Sequence, residues 1–61
     1  MIYEEAYEKA QRIVFVHYNL PDIVSACELY DIPTHTKSGR LRARPTLEKL
    51  LIEAMTKEFE E

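Results

Sequence analysis

Apolar side chains recur at three- and four-residue intervals from Tyr3 onward, as Tyr3, Ala6, Tyr7, Ala10, Ile13 and Val14, with the polar-tipped His17 on the same stripe. This spacing predicts an amphipathic helix over about residues 3–18. Glu5 with Lys9 and Glu8 with Arg12 are acid-before-base pairs four residues apart, worth roughly 0.2–0.5 kcal/mol each. Ile13-Val14-Phe15-Val16-His17-Tyr18 is β-branched and aromatic enough to form a strand as well, and periodicity alone does not separate the two. A helix is the preferred reading because no second segment offers a pairing strand. It leaves Phe15, Val16 and Tyr18 off the stripe, to cover the other helices or to face a second subunit.

Leu20-Pro21-Asp22 opens a second helix, about residues 21–31. Proline suits a first helical turn, and an acidic residue there complements the helix dipole. Its inward positions are Leu20, Ile23, Val24, Cys27 and Tyr30. Ile32-Pro33 ends it, since a residue before proline is pushed out of the α region. The third helix, about residues 46–59, carries the clearest stripe: Leu47, Leu50, Leu51, Ala54, Met55 and Phe59. Ile52 lies off that stripe among Lys49, Glu53 and Lys57 and suggests a second contact point. Glu58, Glu60 and Glu61 oppose the dipole at the C-terminus and predict a frayed last turn. The expected fold is therefore all-α, one domain spanning residues 1–61 with three helices.

Charge changes this picture. The chain has 8 Lys+Arg against 11 Asp+Glu, a net charge of −3. Lys37, Arg40, Arg42 and Arg44 all fall in the loop of residues 33–45, which contains no Asp or Glu. Without those four cations the remainder carries 4 against 11, about −7. Such segregation points to an anionic partner. Alternation at period two would send Arg40, Arg42 and Arg44 to one side of an extended segment and turn Leu41 and Ala43 toward the domain. Gly39 is suited to a turn with positive φ. Free N–H groups at the start of the third helix would add an anion site beside Arg44, with Lys49 one turn further on. The bland alternative is a solvated basic loop balanced by Asp22, Glu28, Asp31 and Glu48.

The segment from Leu20-Pro21 through Val24, Cys27 and Glu28-Leu29-Tyr30-Asp31-Ile32-Pro33 to Thr46-Leu47-Glu48-Lys49-Leu50-Leu51 resembles the SAP and related helix-extended-loop-helix, LEM-like modules. The resemblance covers about residues 20–55. It implies two roughly parallel short helices joined by an extended loop. Many members of that group bind DNA, and the LEM branch binds a protein.

Little else suggests chemistry. Cys27 sits on an apolar stripe as a small hydrophobe. His17 reads as a core or interface residue, and His35 as a loop residue able to titrate near a phosphate. Tyr3, Tyr7, Tyr18 and Tyr30 are better suited to packing than to stacking on bases. One cysteine and two histidines do not make a structural zinc site by themselves. There is no nucleophile–base arrangement and no phosphate-cradling glycine loop, so neither an enzyme nor a cofactor is expected. No signal peptide or membrane-spanning run is apparent, which favours a cytoplasmic protein. The expectation is a small non-enzymatic nucleic-acid-binding module that uses Lys37, Arg40, Arg42, Arg44 and Lys49. The alternative is a protein-interaction module, such as a small phage-type regulator or inhibitor that dimerises or binds a host protein. A chain of 61 residues buries a limited core, and association as a homodimer is a natural remedy.

Overall fold

The computed structural model describes residues 2–60 as three helices: α1 (Tyr3–Arg12), continued by a π-helical turn (Ile13–His17), α2 (Leu20–Leu29) and α3 (Arg44–Glu60). No strand is present among the described residues. A single antiparallel bridge joins His35 to Leu41. The β-branched run after Arg12 is thus helical, but as i→i+5 turns. Each such turn takes in more residues than an α turn, so positions after Val14 lag behind the α-helical stripe. This explains why His17, expected on the apolar stripe, is exposed, together with Phe15 and Val16.

The 17 residues of α3 form the centre of the molecule. α1 packs along it, α2 packs on it more briefly, and α1 and α2 share little contact of their own. The core joins Ala10 and Val14 from the first segment, Ile23, Ala26 and Cys27 from α2, and Leu47, Leu51, Ile52 and Met55 from α3. Because α3 is covered on two sides, its buried arc is wider than one stripe. Ile52 and Thr56 are therefore buried as well, which makes Ile52 the second contact point that its place off the main stripe suggests. The Thr56 hydroxyl donates to the Ile52 carbonyl at 2.6 Å, so its burial leaves no polar group orphaned. Tyr3 is exposed and stacks on Tyr7, with ring centroids 6.0 Å apart.

The ends of the helices follow their local chemistry. Asn19 caps α2, and its N–H donates to the Asp22 carboxylate at 3.1 Å. At the other end Ile32 N–H donates to Cys27 O at 2.8 Å and Asp31 N–H to Glu28 O at 3.1 Å. Asp31 takes φ 58°. This is a Schellman closure with aspartate where glycine is usual, and the half-buried Ile32 supplies its apolar contact. α2 therefore stops at Leu29, two residues before the expected boundary. Pro45 fits the first turn of α3, which begins at Arg44 rather than at residue 46. The helix continues through Glu60, and Glu61, included in the expected fraying, lies outside the described residues.

Leu51 is fully buried, whereas Leu50, expected to be equally inward, is half-buried. Leu51→Ala is expected to cost roughly 2–5 kcal/mol and Leu50→Ala clearly less. Urea denaturation of both variants checks this, and equal losses would contradict the α3 register.

Candidate nucleic-acid interface

The basic loop is not simply extended. Gly39 N–H donates to Thr36 O at 3.0 Å, closing a β-turn through Lys37 and Ser38, and Thr36 N–H donates to Arg40 O at 2.8 Å. Gly39 has φ 87°, the left-handed residue that a three-residue hairpin loop requires. Arg42 N–H donates to Thr34 O at 2.8 Å, so the His35–Leu41 pair is flanked by hydrogen bonds on both sides. Side-chain bonds reinforce the local structure: Thr34 Oγ1 with His35 Nδ1 and Thr36 Oγ1 with Ser38 Oγ, both at 2.9 Å. The result is a miniature hairpin over residues 34–42.

Its pleat decides where the cations go. His35 and Leu41 share one face, and Arg40 and Arg42 lie on the other with Thr34 and Thr36. Thr34 and Arg42 are half-buried, while Leu41 is 42% exposed and Ala43 is also exposed. The expectation that Leu41 and Ala43 face the domain is thus reversed. Arg42 lies partly against the body, a position its long apolar stem tolerates while the guanidinium reaches water. Arg44 leaves the alternation altogether because it begins α3. Lys37 at the turn, Arg40 beside it and Lys49 on α3 are exposed.

Arg44 Nε lies 3.4 Å from Glu48 Oε2, with the arginine side chain 48% exposed. Such a pair is worth a few tenths of a kcal/mol, roughly 0.3–0.5, and less with the cation on the N-terminal side. Arg44 is therefore cheaply released. Its place is electrostatically unusual, since a cation opens α3 and the first turn contains no acidic residue. The helix dipole and the arginine add positive potential at one point instead of cancelling.

α2, which leads into the hairpin, is held to α3 by contacts that periodicity does not reveal. The Tyr30 hydroxyl donates to the Glu58 carboxylate, tying the end of α2 to the last turns of α3. The Glu58 hydrogen bond, burial, and the charges of Glu58 and Tyr18 push the Tyr30 hydroxyl up to about 12. Cys27 Sγ lies 3.9 Å from Leu47 O across the same seam, and burial raises its thiol above the ordinary range. Cys27 is thus a packing residue, as its stripe implies. Among the described residues no group of three or more His, Cys, Asp or Glu is placed to hold a metal ion. No helix among them is long and apolar enough to cross a membrane. No protein-family model, curated protein or solved structure matches the chain.

Tyr30 gives a pH signature. Below about pH 10 the phenol is neutral in both folded and unfolded chains and the bond to Glu58 is intact. Between there and about 12 the unfolded chain releases the proton first, so stability falls as pH rises. Denaturation midpoints followed through this range are expected to fall more steeply for the wild type than for Tyr30→Phe, whose own stability is lower at neutral pH. Parallel curves would contradict the Tyr30–Glu58 contact.

Proposed function

We propose that the chain is a small non-enzymatic nucleic-acid-binding module in which the hairpin and the start of α3 contact the phosphate backbone. Lys37, Arg40, Arg42, Arg44 and Lys49 are the contacting residues, and α2, the loop and α3 act as a SAP-like unit. The observation that carries this reading is the convergence of charge at one junction. Four cations of a net-acidic chain occupy a hydrogen-bonded hairpin and the first residue of a helix whose first turn has no acidic residue, with Arg44 held only by an exposed pair to Glu48. Arginine forks and free helix N–H groups are the groups that suit phosphate oxygens. Nothing in the arrangement is aimed at base edges in a sequence-specific code, so binding is expected to position without specifying. The net charge of −3 favours a second reading, in which the same cations dock an acidic protein surface.

Mobility shifts with random duplex and single-stranded DNA across a salt series separate the readings. If three or four phosphates are neutralised, log affinity on duplex falls with log salt at a slope of roughly −2.7 to −3.6. Arg40→Ala, at an exposed site, should reduce that slope by about 0.9 for all sequences alike. Absence of binding at about 50 mM salt to either DNA form would exclude the nucleic-acid reading and leave the acidic protein surface.

A further inference from the structure

The two faces of the hairpin differ in chemistry. Thr34 and Arg42 lie partly against the body, so the face they share with Thr36 and Arg40 turns inward at the hairpin's base. The opposite face carries His35 and Leu41, and both are exposed, Leu41 by 42%. Leu41 belongs neither to the core nor to the partly buried residues packed against it. Folding therefore does not account for a leucine at this position.

The pair is nonetheless ordered. His35 stands opposite Leu41 in the bridge, with Thr36 N–H donating to Arg40 O on one side and Arg42 N–H to Thr34 O on the other. This is the non-hydrogen-bonded kind of antiparallel pair, in which facing side chains come closest. Thr34 Oγ1 lies 2.9 Å from His35 Nδ1. A bond at that atom engages the edge of the imidazole, so it restrains the ring without occupying either of its faces. A restrained ring and an adjoining aliphatic group thus share one small solvent-facing surface.

Cations stand around this surface. Lys37 is at the turn two residues from His35, Arg40 directly precedes Leu41 and Arg44 follows it by three, and all three cations are exposed. An uncharged apolar partner would be left among unmatched positive charges. The ligand that suits the whole surface joins an apolar plane to a negative charge, which is what each nucleotide of an unpaired strand offers. Unstacked bases of single strands are commonly held on aromatic side chains, histidine among them, whereas a duplex keeps its base faces inside its own stack.

We propose that the His35–Leu41 pair is a stacking platform for one unpaired nucleobase, and that the hairpin therefore takes a single nucleic-acid strand in preference to a duplex. The inference rests on the backbone-contact reading above and adds the class of strand to it. Lys37, Arg40 and Arg44 hold the phosphates beside the stacked base. A stack meets the face of a base and not its edge, so binding stays tolerant of sequence.

Fluorescence anisotropy at equal salt with labelled oligothymidylate, an abasic strand of equal length and a duplex of random sequence tests the proposal. The abasic strand keeps the phosphates and has no base to stack. The wild type is expected to bind oligothymidylate more tightly than the duplex, and about fivefold or more tighter than the abasic strand. Oligouridylate should behave like oligothymidylate, because the stacked face does not depend on the sugar. His35→Ala should weaken binding of oligothymidylate by a similar factor with the salt slope unchanged, since a stack releases no counterions. His35→Phe, a ring without charge, should restore binding, and His35→Lys, a charge without a ring, should not. Circular dichroism checks that the variants keep the wild-type helix content. Equal affinity for oligothymidylate and the abasic strand, tighter binding to the duplex, or restoration by lysine would overturn the platform; a salt slope still lowered by Arg40→Ala would then leave the backbone reading standing. Absence of binding to every strand would defeat the backbone reading itself, and the platform with it.

Discussion

Burial of α3 between two partners that scarcely touch one another is the constraint on which the rest of the molecule depends. Leu47, Leu51, Ile52 and Met55 of α3 share one core with the buried residues of the first segment and of α2, and since α1 and α2 share little contact of their own, each outer helix rests its apolar face on α3. Isolated helices of ten residues are marginal in water. Both outer helices therefore owe their persistence to this one face. The elongated shape, 38 × 20 × 16 Å, follows from laying two short elements along one long one instead of closing a bundle.

The hairpin inherits its position from the same seam. It begins at Thr34, two residues after the Schellman closure at Ile32, and finishes at Arg42, with only Ala43 before α3, so both ends are fixed close to packed helices. Tyr30–Glu58 and Cys27–Leu47 secure the α2 side. A basic loop tethered in this way has already lost much of its conformational entropy, so an anionic partner need not order it. Two unfavourable local choices lie at its borders: aspartate at φ 58° and a cation at the start of α3. Departures from local preference of this sort are characteristic of sites that serve something other than stability.

The three helices and their order were legible in the hydrophobic spacing, because Leu47, Leu51, Met55, Ile23 and Cys27 follow simple helical intervals. Spacing failed where the backbone leaves the α-helix: it misplaced His17 because a π turn alters the register. Ile52, off the main stripe, was legible as a second contact point, and it is buried because α3 is packed on two sides. In the candidate site, the residue types and the positive φ of Gly39 were legible. The pairing of His35 with Leu41 was not, since the Thr34-His35-Thr36 side has no alternating apolar signal to mark it as a partner for Arg40-Leu41-Arg42, and with it the inward lean of Arg42 was missed. The Tyr30–Glu58 contact joins residues 28 apart and had no local signal. A tyrosine ending one helix opposite a glutamate near the end of another is the only hint the sequence held.

The seam between α2 and α3 is most directly tested by the reactivity of Cys27, which is fully buried against Leu47. Thiol labelling under native conditions, measured over a range of low urea concentrations, reports whether this sulfur becomes accessible only when the whole molecule unfolds. Cys27 is expected to react at a rate set by the global unfolding free energy, with the same urea dependence as the cooperative transition. Rapid labelling that is insensitive to urea would show that α2 separates from α3 on its own, and that the basic hairpin is not held where this account places it.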